Sequence, residues 1–199
     1  PTVDGVEVKI ADDGEILSRG PHIMKGYYKD EAGTREAINE EGWFHTGDIG
    51  ILDDGYLRIT DRKKNIIVTA GGKNIAPAPI EGALILNKYF EQALVHGDRR
   101  KFVSAILVPN FVELGEWATE NEITDVTPEA LCDNPKVYEM LMTEVAGVMQ
   151  KFSGYEAVKE AIILPKEFSV EDGTLTPTLK IKKRVVEERY KAKIDALYD

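Results

Sequence analysis

A few side chains in this sequence are of types, and at spacings, that could do chemistry. Asp48, in Thr46-Gly47-Asp48, offers a carboxylate that could accept two hydrogen bonds from a vicinal diol, as dinucleotide-binding folds hold ribose. The same three residue types also favour plain tight turns. Arg62 follows Asp61 and lies one hairpin beyond Asp48. It reads either as a surface ion pair with its neighbour, worth under ~1 kcal/mol, or as a planar fork meeting the same ribose or phosphate. Gly71-Gly72 is the glycine any strand-to-helix turn uses for positive φ, or a backbone thin enough to lie against a ligand. Lys180 sits in Leu175-Thr176-Pro177-Thr178-Leu179-Lys180. It is one lysine in a solvated run, or a point charge held between Leu179 and Ile181 and aimed at a phosphate. Other signatures are missing. His22, His45 and His96 are scattered and Cys132 stands alone, so no metal-ligand spacing occurs. There is no G-x-S-x-G elbow, no G-x-G-x-x-G and no Walker A loop. A self-contained hydrolase or dehydrogenase is excluded.

The elements that must position these groups can be read from local pattern. Val6–Ile10 and Glu15–Leu17 are short strands about the turn Asp12-Asp13-Gly14, and residues 30–39 read as a short exposed helix. Asp53-Asp54-Gly55 turns a second hairpin between 49–52 and 56–60. The first sixty residues are mostly β, with too many glycines for an independent sandwich. Beyond Asp61-Arg62-Lys63-Lys64 the pattern changes to helices interleaved with strands. Expected are a strand at 66–69, a helix opening at Pro79 with Ile80, Leu84 and Leu86 behind it, strands at 92–96 and 102–108, and a helix over 111–121. Thr127-Pro128 and Asn134-Pro135 read as cap-then-proline helix starts. The second helix carries one apolar face, Val137, Leu141, Val145, Val148 and Phe152. A third strand follows at 158–164, then a last helix with Val186, Tyr190, Ile194 and Leu197 on one side. The expected class is therefore α+β: a β-rich trailing segment of a larger N-terminal domain (1–61), a joint at 62–64, and a small α+β domain (65–199) of three to four strands with flanking helices.

Composition bounds the partners. A net charge of −10 opposes nucleic-acid binding, which needs a positive footprint. The single cysteine fits a reducing compartment, and a cytoplasmic location is expected. No apolar run reaches ~20 residues, so no transmembrane helix is expected, which leaves peripheral contact with a membrane surface open. The opening PTVDGVEVKI has neither the basic start nor the apolar centre of a signal peptide. It begins without methionine inside a strand pattern and reads as cut from a longer chain.

Taken together and in order, these pieces resemble the C-terminal end of the AMP-forming acyl-CoA synthetases, in the adenylate-forming superfamily shared with luciferases and amino-acid adenylation domains. Gly14-Glu15-Ile16, Gly20 and Gly26-Tyr27-Tyr28 are similar to the segment before the nucleotide loop. Gly42-Trp43-Phe44-His45-Thr46-Gly47-Asp48 is similar to the loop whose aspartate holds the ATP ribose, and Asp61-Arg62-Lys63-Lys64 to the hinge between the large and small domains. Gly71–Glu81 resembles the glycine turn and the helix after it, and Lys180 falls at the catalytic lysine of the small domain. The forms Thr69-Ala70-Gly71-Gly72-Lys73-Asn74 and Leu175-Thr-Pro-Thr-Leu-Lys180 look like those of long-chain fatty-acid CoA ligases.

The resemblance implies a two-step reaction with fatty acid, ATP and CoA as substrates and Mg2+ accompanying ATP. A carboxylate attacks the α-phosphate of ATP, giving an acyl-adenylate and pyrophosphate; the CoA thiol then displaces AMP. It implies Lys180 as catalytic lysine, Thr46, Asp48 and Arg62 as nucleotide-binding residues, Lys64 as hinge pivot, and Gly71 and Gly72 as lining the CoA channel. Lys73 receives no role. The family's phosphate loop, magnesium-binding glutamate and acyl pocket lie upstream of Pro1, so a piece inactive by itself is expected. Two alternatives stay open: an adenylation enzyme loading a carrier-protein thiol, and a stand-alone nucleotide- or CoA-binding module.

Overall fold

The computed structural model describes residues 3–199; Pro1 and Thr2, the start of the expected strand pattern, lie outside the described residues. The chain divides into two compact units, Pro1–Ile66 and Ile67–Asp199.

The first unit is an antiparallel meander of β1 (Glu7–Ile10), β2 (Glu15–Arg19), β3 (Phe44–Asp53) and β4 (Tyr56–Arg62), in that spatial order. Both expected hairpins form. At the second, Asp54 and Gly55 both take positive φ (46° and 76°), the primed turn whose twist suits paired strands. Helix α1 (Glu31–Ala37) is capped by the Asp30 carboxylate, which accepts from the Gly33 N–H, and buries no residue. Ile16, Leu17 and Trp43 form the small core, with Lys9 and Arg19 lying over the Trp43 ring. After β4 a 3₁₀ turn, Lys63–Asn65, leads out of the unit.

The second unit is built on a three-stranded sheet of β7 (Phe90–His96), β8 (Val103–Pro109) and β9 (Val158–Ile163), with β7–β8 antiparallel and β8–β9 parallel. A strand buried on both faces reads as a continuous apolar run, and β8 is buried along its whole length. Alternate residues serve two cores. Ala93, Val95, Ala105, Leu107 and Ile163 face Ile80, Leu84, Leu141 and Val145 of helices α2 (Pro77–Ile85) and α5 (Pro135–Met149), with α3 (Phe111–Glu120) and α4 (Pro128–Cys132) beside them. Leu94, Ile106, Val108 and Ile162 face Phe168, Leu175, Val186 and Ile194, the last two from α6 (Lys183–Arg189) and α7 (Lys191–Ala196). Two short strands, β5 (Ile67–Val68) and β6 (Asn74–Ile75), pair at the entrance to the unit and bury Ile67 and Ile75 in the first core. The architecture is α+β. Among the described residues no helix is long and apolar enough to cross a membrane.

Local differences from the sequence reading have physical causes. Thr46-Gly47-Asp48 is not a turn between elements but part of β3, kinked where the β2–β3 register slips between Glu15 and Leu17. Leu86 does not lie behind α2: it follows the last turn and is 88% exposed. Thr127 makes no cap to α4, because its hydroxyl donates to Asp125 instead. Along α5, Met149 rather than Val148 completes the buried stripe, and Phe152 lies past the helix end. The expected single last helix is two, broken at Tyr190, whose φ and ψ of −102° and 16° leave the helical region.

Candidate functional site

In the first unit a bulge in β3 carries Thr46, Gly47 and Asp48. Two residues of β2 span four of β3, from Leu17↔His45 to Glu15↔Ile49, so the chain between must loop outward. Gly47, at φ +71°, permits that loop. Thr46 folds inward: its hydroxyl donates to the Ile16 carbonyl at 2.7 Å and accepts from the Asp48 N–H at 3.1 Å. Asp48 lies opposite Arg62 in the β3–β4 register, and Arg62 Nε meets Asp48 Oδ1 at 2.7 Å. Arg62 thus pairs across the strands with Asp48, and the Asp61 Oδ1 takes the Arg62 N–H and the Asn65 amide. Thr46 and Asp48 line a cavity of about 470 Å³ whose other walls include Ile16, Phe44, Leu57 and Ile59. The cavity is thus lined mainly by apolar side chains, with the Asp48 carboxylate, Thr46, Ser18 and His22 as its polar groups.

One residue that holds this bulge was missed by sequence reasoning. Glu15 is buried at 3% exposure, and its carboxylate takes three donors: the Gly47 N–H at 2.9 Å, His45 Nδ1 at 2.9 Å and Lys63 Nζ at 2.9 Å. Burial alone would raise its pKa; the His45, Lys63 and Gly47 hydrogen bonds outweigh that and lower it. Lys63 also reaches Asp13 in the first hairpin turn at 2.7 Å. The first residue of the 3₁₀ turn is thus clamped to the sheet. Lys64, the next one, is exposed, and the division between the units comes two residues later. The first three residues of β2, Glu15, Ile16 and Leu17, are all buried, so no alternation in the sequence marks the acid.

In the second unit Lys180 stands on a short hairpin. Thr176–Leu179 forms a tight turn, with the Leu179 N–H on the Thr176 carbonyl at 2.9 Å; the Thr176 N–H then meets the Lys180 carbonyl at 2.8 Å. The Thr176 hydroxyl oxygen accepts from the Lys180 N–H at 3.0 Å. Leu175 pairs with Ile181 across the base, and Leu175 is buried in the second core. The expectation that Leu179 holds the lysine is corrected: Leu179 is 72% exposed at φ +59°, and the backbone, not an apolar sleeve, fixes Lys180. Just upstream, Asp172 braces the segment. The hydroxyl and amide of Thr174, with Arg189 and the Ser169 N–H, hold its carboxyl well below the usual range. The Lys180 ammonium is exposed and has no carboxylate partner among the described residues.

Gly71 and Gly72 lie in the turn Thr69–Gly72 between β5 and β6, the Gly72 N–H on the Thr69 carbonyl at 2.8 Å. Gly72 needs glycine for its φ of +74°. At Gly71 nothing in the fold requires it: an added Cβ would come no nearer than 3.9 Å to the Thr69 hydroxyl. The lone thiol is unsuited to chemistry, since burial pushes Cys132 up to about 11. Among the described residues no group of three His, Cys, Asp or Glu could hold a metal.

The family model of the AMP-binding enzyme C-terminal domain matches residues 64–199. This chain belongs to the AMP-binding enzyme family. Relatives agree over both units. The long-chain-fatty-acid–CoA ligase FadD15 of Mycobacterium tuberculosis is 40% identical over 199 residues, 99% of this chain and 33% of the relative. Long-chain-fatty-acid–CoA ligase 1 of Cavia porcellus is 38% identical over 190 residues, 94% of this chain and 27% of the relative. The chain thus spans about a third of the curated relatives it matches. Among solved structures, the A domain of carboxylic acid reductase from Segniliparus rugosus, in complex with AMP and a co-purified carboxylic acid, shares the fold at TM-score 0.76 and 23% identity, over 100% of this chain and 32% of that one. A fatty acyl CoA synthetase of Mycobacterium tuberculosis matches at TM-score 0.54 and 27% identity, over 96% of this chain and 34% of that one.

Proposed function

We propose that this chain is the C-terminal part of an ATP-dependent, AMP-forming long-chain fatty acid–CoA ligase. In the first step a carboxylate oxygen bonds to the α-phosphorus while the α–β phosphoanhydride breaks, releasing pyrophosphate. In the second the thiol sulfur bonds to the acyl carbon, the acyl–phosphate bond breaks, AMP departs and the thiol proton is lost. Asp48 and Arg62 hold the nucleotide's sugar in both steps, and Thr46 belongs to the same nucleotide-binding loop. Lys180 sets a positive charge between an anionic carboxylate and an anionic phosphate, where negative charge grows in the transition state. Residues 1–61 form the edge of a larger domain, 62–64 the hinge with Lys64 as pivot, and 65–199 the small mobile domain. Gly71 and Gly72 border the path of the CoA arm. Mg2+ would accompany ATP; the described residues offer it no donor set, and no step is routed through it.

The observation that carries this reading is Lys180: exposed, unpaired by any carboxylate among the described residues, and fixed by a hairpin rooted in the core through Leu175. The full-length protein, given ATP, a long-chain fatty acid and CoA, is expected to release AMP and pyrophosphate and form one acyl thioester per ATP. Release of ADP, or turnover with a phosphopantetheinylated carrier protein in place of CoA, would contradict it. A cytoplasmic location, with the protein free or peripheral to a membrane, accords with this role.

A further inference from the structure

Two loops of the second unit share one hydrogen-bond scheme. In Thr69-Ala70-Gly71-Gly72-Lys73 the Thr69 N–H meets the Lys73 carbonyl at 3.0 Å, the Gly72 N–H the Thr69 carbonyl at 2.8 Å, and the Lys73 N–H the Thr69 hydroxyl at 3.1 Å. In Thr176-Pro177-Thr178-Leu179-Lys180 the corresponding distances are 2.8, 2.9 and 3.0 Å. The fourth residue of each takes positive φ, +74° at Gly72 and +59° at Leu179. A threonine closes each turn, and a lysine stands at the same place after it. The threonine-to-lysine spacing is the same in both loops, although Ala70, Gly71 and Gly72 stand in one where Pro177, Thr178 and Leu179 stand in the other.

The scheme holds the lysine backbone before any ligand arrives, so within the loop an anion needs to order only the side chain. Neither lysine has a carboxylate partner among the described residues, as most lysines of the chain do not; Lys63, Lys88, Lys183 and Lys191 do. The Lys73 ammonium lies 5.4 Å from the centre of the exposed Tyr155 ring, a contact an anion could replace or share. Its loop is also tied to a second basic segment. The Ala70 N–H donates to the Arg100 carbonyl at 2.9 Å, and the Arg99 N–H to the Val68 carbonyl at 2.8 Å. Arg99 is 92% exposed, with Asp98 at 3.8 Å as its carboxylate neighbour; the Asp98 Oδ1 is already engaged by the Val68 N–H.

We infer that Lys73, with Arg99 of the loop bonded to Val68 and Ala70, binds the phosphates of the nucleotide end of CoA, as the second-step counterpart of Lys180. This rests on the ligase reading, which places Gly71 and Gly72 along the thiol's path. A lysine one residue beyond that turn would meet the first charged groups behind the uncharged pantetheine arm.

The test compares CoA with pantetheine, a thiol substrate without nucleotide phosphates, in the full-length protein. Lys73→Ala is expected to raise KM for CoA about tenfold, the loss of one charge-assisted contact to phosphate, while KM for pantetheine and for ATP moves less than twofold. Lys73→Arg should restore most of the CoA effect, and Arg99→Ala should shift KM for CoA in the same direction. An unchanged KM for CoA, or an equal rise for CoA and pantetheine, would overturn the inference. A wild-type protein that forms AMP but uses neither thiol would instead overturn the ligase reading, and this inference with it.

Discussion

Replacing Glu15 with glutamine is the sharpest test of how the β3 bulge is held. The carboxylate is buried and takes three donors, one of them the Lys63 ammonium. Glutamine keeps the volume but loses the charge, and its amide nitrogen cannot accept. Lys63 keeps Asp13, so its loss is partial. Charge-assisted hydrogen bonds contribute about 1.5–3 kcal/mol each, and leaving one buried donor poorly paired costs about as much, so a net loss of about 2–3 kcal/mol is expected in the first unit. With a urea slope of about 1 kcal/mol/M for a unit this small, the midpoint should fall by about 2–3 M. Trp43 belongs to the first unit and Trp117 to the second, so fluorescence in a Trp117→Phe background reports the first unit alone. The effect must also titrate. Glu15 has a folded pKa below its ordinary 4.5, so its contribution is full above that value and disappears as pH falls through the folded pKa. The gap between wild type and Glu15→Gln should therefore be wide at pH 7 and close in acid. A gap under about 0.5 kcal/mol at neutral pH, or one that persists unchanged in acid, would refute the reasoning.

Other substitutions probe the second unit and the joint. Leu179 holds φ +59° with an exposed side chain, so Leu179→Gly should stabilise the unit by about 0.5–1 kcal/mol net, seen as a higher thermal midpoint; a lower midpoint would show that the leucine makes contacts worth more than its strain. Lys64→Pro fixes φ just beyond the Lys63 clamp and, in the full-length protein, should slow thioester formation at least tenfold more than adenylation; equal rates in both steps would remove Lys64 as the pivot.

What the sequence made legible follows from how local each cause is. Both hairpins of the first unit were visible because Asp-Gly pairs demand particular dihedrals, and β8 because its seven buried positions are apolar apart from Ser104. Asp48, Arg62 and Lys180 could be named through resemblance, but not their contacts. The Asp48–Arg62 pair depends on a strand register, and that register contains bulges no local pattern announces. Glu15 stayed hidden because a lone acid in a short strand looks solvated until three donors from distant residues surround it. The break at Tyr190 was concealed by apolar spacing that runs on across it, Val186 and Ile194 both reaching the second core. The likeness of the Thr69 and Thr176 loops lies in backbone hydrogen bonds, which different residues can make equally well.

The two half-reactions of the Lys180→Ala full-length protein test the central claim most directly. The account predicts that acyl-adenylate formation from ATP and fatty acid falls by about a thousandfold, the scale for removing one preorganised charge from a transition state, while thioester formation from supplied acyl-adenylate and CoA stays near wild type. Equal loss of both steps, or adenylation that survives, would contradict it.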